Sequence, residues 1–201
     1  VLADTGGHYL EGTTDITRTI ALGTLTQEEK EMYTTVLKGH IQLETARFLQ
    51  GCSGQSLDIL ARTPLWEKGL DYNHGTGHGV GYLLSVHEGP NSFRWQNSTI
   101  SKECVFEEGM ITTDEPGIYI EGKYGIRTEN ELVCHKGEKN EFGQFMYFEN
   151  ITYVPIDLDA IDPDQMTSTE RNRLNAYHEN VYRVVSPFLE GEELAWLKQA
   201  T

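Results

Sequence analysis

The chain has 201 residues, enough for one domain with a substantial core, and carries a formal net charge of −15. An acidic surface repels nucleic acid and anionic membranes, so neither is expected as a partner. No apolar run is long enough to cross a bilayer, and the first residues do not make a signal peptide.

Val1-Leu2-Ala3-Asp4 reads as the end of a strand, and with no initiating Met the chain reads as a piece of a longer polypeptide. Gly6, Gly7 and Gly12 supply turn residues before Asp15-Ile16-Thr17-Arg18-Thr19-Ile20, which alternates and is β-branched, so a hairpin is predicted. Thr26 with Glu29 three residues later is a capping-box signature. It predicts a helix over 26–51, with Met32, Val36, Leu37, Ile41 and Phe48 on its apolar face and Gly51 as its stop. A second helix is predicted over 54–66, with Pro64 kinking or restarting it. Glycines at 75, 77, 79 and 81 oppose a helix, each costing roughly 1 kcal/mol relative to Ala, so 73–81 reads as a loop or irregular strand. Strands are predicted at 110–113, 117–121, 127–134 and 142–154.

Thr167 with Glu170 marks another capping box, after which Leu174, Tyr177, Val181, Val184 and Phe188 recur as one buried helix face. Leu194, Trp196 and Leu197 close the chain in a short helix, and the acidic run at 190–193 reads as solvated. Helices and strands mix without βαβ alternation, which predicts an α+β domain. Cys52, Cys104 and Cys134 show no CxxC spacing, and an odd count suits a reducing compartment. Asn97-Ser98-Thr99 and Asn150-Ile151-Thr152 match the glycosylation pattern but carry little weight without a secretory signal.

Chemistry concentrates in three segments. Asp4 and Asp15 lie on the two arms of the hairpin, so a turn lets both side chains approach one point. Glu115 and Glu129 fall on neighbouring strands joined by a turn around Glu121-Gly122. Each pair suits one terminal and one bridging carboxylate. Four crowded carboxylates repel and their pKa values rise; two divalent cations remove that repulsion. Oxygen donors with the single imidazole of His78 favour Mn²⁺, with Co²⁺ or Zn²⁺ behind it, over a thiolate metal. Two metals about 3.5–4 Å apart lower the pKa of a bridging water and polarise a carbonyl, while a nearby carboxylate or histidine shuttles the proton. A hydrolase is therefore the leading reading. His74 and His78 are four apart, as in HExxH metalloproteases, but Gly75 stands where that motif needs Glu, and the glycines oppose its helix. His78 is then the ligand, while His74 and His87 line the pocket. His8, His40, His135 and His178 read as ordinary residues, Tyr119 as a core aromatic, and Arg127 as either a pocket residue or an ion-pair partner of Glu129.

On Gly12-Thr13-Thr14-Asp15-Ile16-Thr17-Arg18-Thr19, His74-Gly75-Thr76-Gly77-His78-Gly79-Val80-Gly81 and Asp114-Glu115-Pro116-Gly117, the chain resembles the Xaa-Pro aminopeptidases, also called aminopeptidase P, of the M24 metallopeptidases. The tail from Phe148 to Asp157 and the terminal helix bearing Trp196 resemble the long, cytosolic type. The resemblance implies a pita-bread fold cut short at its N-terminus, with 1–201 as the catalytic domain and 148–201 as its C-terminal extension. It implies that Asp4, Asp15, His78, Glu115 and Glu129 bind two divalent metal ions, usually Mn²⁺. It assigns catalytic roles to His74, His87, Glu115 and Arg127, with Glu115 also orienting a hydroxide. The implied reaction releases an N-terminal residue from peptides with proline in second position, in a cytoplasmic enzyme that is a homo-oligomer at full length. The resemblance also implies a further histidine upstream of Asp4 and two N-terminal domains outside these residues, so this piece alone is expected to be weakly active or inactive. Two alternatives stand beside it: a prolidase acting only on dipeptides, and a pita-bread domain that binds peptides without cleaving them. The second should have lost ligands, and none of the five is missing; creatine hydrolysis is disfavoured likewise, because that branch works without the metals.

Overall fold

A long antiparallel ribbon opens the chain, pairing β1 (Leu2–Tyr9) with β2 (Gly12–Thr19). The structure, a computed structural model, describes residues 1–96 and 104–201, so the Asn97 glycosylation pattern lies outside the described residues. Gly6 and Gly7 sit inside β1 and not in the turn, which falls at Leu10 and Glu11. Gly6 pairs with Asp15, and a Cβ there would lie 2.6 Å from the Thr14 carbonyl oxygen, so glycine permits a close approach that a side chain would prevent.

The first capping box is present. Thr26 Oγ1 accepts from Glu29 N at 3.2 Å, and Glu29 returns the bond to Thr26 N at 2.7 Å, starting α1 (Gln27–Glu44). That helix ends at Thr45, short of the predicted Gly51. Residues Arg47–Leu49 leave it as β3 and pair with residues 145–147, so sheet pairing overrides helical spacing and Phe48 is buried as a strand residue. α2 (Gly54–Trp66) runs through Pro64 without a break; the proline lies near its end and leaves the Leu60 carbonyl without an intrahelical donor from residue 64.

The glycine-rich segment contributes only β4 (Gly77–His78), paired with β5 (Ser92–Phe93). Then come β6 (Ile111–Asp114), β7 (Gly117–Ile120), β8 (Tyr124–Arg127), β9 (Asn130–Asn140) and β10 (Gly143–Asn150). The strand predicted over 127–134 is therefore two strands. They break at Thr128-Glu129, where Glu129 N donates to Thr17 O of β2 at 3.0 Å. One four-stranded antiparallel sheet has the order β3-β10-β9-β6; β1–β2, β4–β5 and β7–β8 are separate two-stranded ribbons.

The second capping box starts α3 (Ser168–Val185), and α4 (Gly191–Ala200) closes the chain. Leu174, Tyr177 and Val181 are buried as predicted, but Phe188 is 84% exposed. Pro187 follows the end of α3, so the apolar spacing outlasts the helix.

Two cores flank α1. On one side Met32, Val36 and Leu37 pack with Leu174 and Val181 of α3, Leu197 of α4, and Ile118 and Ile126 of the β7–β8 ribbon. On the other, Leu43 meets Leu57 and Ala61 of α2 and the rings of Phe48, Phe93, Phe106 and Phe148. Each fully buried Phe contributes roughly 1.5–3 kcal/mol of apolar transfer. The donor residues emerge from the middle of the β1–β2 ribbon and at the ends of β4, β6 and β8.

Candidate metal centre

The register of the first ribbon sets the first pair of donors. Asp4 stands opposite Thr17 and Gly6 opposite Asp15, so Asp4 and Asp15 share one face as diagonal neighbours. Glu115 follows β6, and its amide donates to Thr76 O at 2.7 Å. Glu129 lies in the break between β8 and β9. Asp114 pairs with Asn130, which brings the two glutamates side by side.

His78 sits on β4, held against β6 by its amide, which donates to Thr113 Oγ1 at 3.1 Å. A Cβ at Gly77 would lie 1.9 Å from Thr113 O, so only glycine lets β4 come this near.

All five predicted ligands converge on a cleft of about 260 Å³, which His87 and His8 also line. Donor atoms lie within 4.8 Å of one another in three overlapping sets: Asp4, Asp15 and Glu129; His78, Glu115 and Glu129; and Asp15, His78 and His87. His78 Nε2 is 3.5 Å from Asp15 Oδ2 and 3.4 Å from Glu115 Oε1. Its Nδ1 faces Gly79 O at 3.0 Å. A carbonyl only accepts, so Nδ1–H donates there; burial opposes charge on the ring, but Asp15, the Gly79 carbonyl and Glu115 outweigh it and raise its pKa, and a bound cation would take the place of the Nε2 proton that faces the carboxylates.

The carboxylates are costly as they stand. Burial raises Glu115 to about 7, and burial with the neighbouring Glu115 charge raises Glu129 to about 8. A divalent cation relieves that repulsion, and the oxygen-rich donor set with one imidazole fits hard or borderline metals. A larger cavity, about 380 Å³, lies beside Ile20, Leu158 and Trp196, but no histidine lines it.

The predicted pocket residues are also here. His74 Nδ1 donates to Gly75 O at 2.7 Å, which leaves Nε2 to accept from the Tyr119 hydroxyl at 2.9 Å. Burial lowers the His74 pKa, assisted by the positive charges of Arg127 and Arg62, and keeps the ring neutral. The His87 ring stands 4.2 Å from that of His78, centroid to centroid. Arg127 stands at the pocket, but its ion-pair partners are Asp4 and, at 3.9 Å, Glu115, in place of the Glu129 named as an alternative; it donates from Nη1 to Tyr119 at 3.0 Å and from Nε to Thr17 Oγ1 at 3.1 Å.

Several participants went unrecognised in the sequence. Tyr119 is 41% exposed at the pocket and not a core aromatic. Thr17 Oγ1 donates to Glu129 Oε2 at 2.6 Å, and Glu131 Oε1 accepts from Asp15 N at 2.8 Å. Both lie two residues from a predicted ligand, so strand alternation could have found them. From α2, Arg62 donates to His74 O at 2.8 Å and to Asp58 Oδ2 at 2.7 Å, while Asp58 accepts from the Thr76 hydroxyl. His40 is sealed beneath the site, 3.2 Å from Asp114 Oδ2 and 3.1 Å from Glu44 Oε2. Burial opposes its charge, but the two carboxylates outweigh that and raise its pKa to about 10.

A family model described as metallopeptidase family M24 matches residues 1–136, and one described as the C-terminal region of peptidase M24 matches 144–201. The chain belongs to metallopeptidase family M24. It is 48% identical to aminopeptidase P1 of Arabidopsis thaliana over 203 residues, covering 100% of this chain and 31% of that protein. A crystal structure of X-prolyl aminopeptidase from Caenorhabditis elegans, described as a cytosolic enzyme with a di-nuclear active site, superposes with a TM-score of 0.91 at 40% identity, covering 99% of this chain and 32% of that one. An Xaa-Pro dipeptidase from Bacillus anthracis gives a TM-score of 0.62 at 35% identity, over 78% of this chain and 40% of that one. The M24 chain here thus has the pita-bread fold and spans about a third of the length of the curated relatives it matches.

Proposed function

We propose that this M24 chain is catalytic-domain sequence of an Xaa-Pro aminopeptidase, which removes the first residue of a peptide whose second residue is proline. The observation that carries the reading is the convergence of Asp4, Asp15, His78, Glu115 and Glu129 on one cleft, with His74, His87, Tyr119 and Arg127 around it. The five would hold two divalent ions, Mn²⁺ on the chemistry of the donor set. Such a pair supplies a water of lowered pKa and a polarised carbonyl.

The chain's own residues do the rest. Glu115 would stand beside the water that such a pair supplies, placed to accept its proton. His74, neutral with its Nε2 on the Tyr119 hydroxyl, can relay a proton toward the leaving proline nitrogen. That nitrogen carries no hydrogen before cleavage, so recognition falls to the shape of the pocket. Arg127 holds Asp4 and Tyr119 in register beside it.

In this reading residues 1–201 belong to one catalytic domain, with 148–201 as its C-terminal extension. The whole enzyme is cytoplasmic and homo-oligomeric and acts on peptides, without nucleic acid or membrane. The net charge of −15 supports the exclusions, and among the described residues no helix is long and apolar enough to cross a membrane. The full-length protein with Mn²⁺ should release the first residue from an Xaa-Pro-Xaa tripeptide. Cleavage of Xaa-Pro dipeptides alone would replace the reading with prolidase, and peptide binding without turnover would replace it with a non-catalytic domain.

A further inference from the structure

Arg18 is a buried cation with an unusual set of partners. Among the described residues it makes no ion pair, and its guanidinium is spent on neutral acceptors. Nη1 donates to Thr17 O at 2.9 Å and to Glu129 O at 2.6 Å. Nη2 reaches Asn130 Oδ1 at 2.7 Å, the Tyr177 hydroxyl at 2.8 Å and Val154 O at 2.9 Å. Nε donates to Pro155 O at 3.1 Å. One planar fork therefore joins two regions far apart in sequence. On one side are the peptides of Thr17 and Glu129, whose side chains meet in the cleft at 2.6 Å. On the other are the 154–155 backbone and α3.

Taking an unpaired charge out of water costs several kcal/mol, and simple attachment of the C-terminal region could be achieved with apolar packing. What the fork adds is direction: five N–H groups in a rigid plane fix several acceptors relative to one another, which a lysine cannot do. Tyr177 completes the fixture. Its hydroxyl accepts from Arg18 and donates to Val154 O at 2.6 Å, so α3 sets where the guanidinium lies.

We propose that Arg18 and Tyr177 are positioning residues for the metal centre, through which the C-terminal region holds the Glu129 backbone, and with it the Glu129 carboxylate, in ligating geometry. The proposal rests on the metallopeptidase reading and adds a role for the C-terminal region within it.

The test compares Arg18→Lys, Tyr177→Phe and Val181→Ala in the full chain. Val181 is buried one turn along the same helix, and its apolar side chain takes no part in the hydrogen bonds of the fork, so its substitution loosens α3 while leaving every donor and acceptor of the fork in place. Each variant is titrated with Mn²⁺ by calorimetry, melted without metal, and assayed for kcat and KM on an Xaa-Pro peptide. Orienting partners of metal ligands typically change affinity about 10–100-fold. Arg18→Lys should weaken Mn²⁺ binding roughly tenfold and Tyr177→Phe by a smaller factor, both lowering kcat more than they raise KM. Val181→Ala should melt earlier with Mn²⁺ affinity unchanged. The proposal is overturned if Tyr177→Phe, the variant surest to fold, melts earlier as Val181→Ala does while keeping wild-type Mn²⁺ affinity. Wild-type protein that takes up no Mn²⁺ would overturn the metallopeptidase reading itself, a failure distinct from equal binding by wild type and variants.

Discussion

Thr17 decides where Glu129 points. Its hydroxyl donates to Glu129 Oε2 at 2.6 Å and accepts from Arg127 Nε at 3.1 Å, so the cation side of the oxygen turns the hydroxyl hydrogen toward the carboxylate. Thr17→Val keeps the shape and removes the donor. It should cost roughly 1–3 kcal/mol of stability, because a buried acceptor loses its partner, and weaken Mn²⁺ binding about tenfold. Calorimetric titration checks this; unchanged affinity would mean that the Glu129 carboxylate is oriented by other contacts. Single residues were unevenly legible. The five donors stood out because acidic residues and a histidine recur in glycine-rich motifs; ribbon register aims Asp4 and Asp15 inward, and strand ends aim His78, Glu115 and Glu129. Tyr119 and Arg18 did not, because what they do depends on partners that only the fold supplies: Tyr119 on His74, 45 positions away, and Arg18 on Tyr177, 159 away.

At the scale of elements, close backbone approach places the imidazole. β4 touches β6 at Gly77, where an added Cβ would meet Thr113 O at 1.9 Å and the Phe93 ring at 2.8 Å. Gly77→Ala must push β4 outward and carry His78 away from Glu115. It should destabilise the fold by about 1–3 kcal/mol and abolish tight metal binding in the fraction that still folds. Denaturant unfolding with a parallel metal titration separates the two effects, and near-normal metal uptake would contradict the account. Elements with their own boundary chemistry were read correctly, the two capping boxes at Thr26 and Thr167 above all. Boundaries set by tertiary contact were not. α1 stops at Glu44 because β3 is claimed by β10, and the predicted strand through Glu129 breaks because its amide is claimed by Thr17.

For the whole molecule, the cleft makes stability depend on pH in a way that bound metal cancels. Without metal, Glu115 and Glu129 hold their protons to about 7 and about 8, against an ordinary value of 4.5. The folded chain thus binds protons more tightly than the unfolded chain. The stability this gives is fully present below 4.5 and is lost as pH rises through 7 to 8. The metal-free melting temperature should fall across that window, by an amount on the order of a few kcal/mol in stability. Saturating Mn²⁺ should remove the fall, because the cation takes up the deprotonated carboxylates and binds only the folded chain. A metal-free melting temperature that climbs through the same window would contradict the assigned carboxylate environments.

The most direct test is anomalous diffraction at the manganese edge from crystals of the protein grown with Mn²⁺. Two anomalous peaks are expected in the cleft, bounded by Asp4, Asp15, His78, Glu115 and Glu129. Saturating Mn²⁺ with no peak there, or peaks only on carboxylates elsewhere on the surface, would contradict the proposed site.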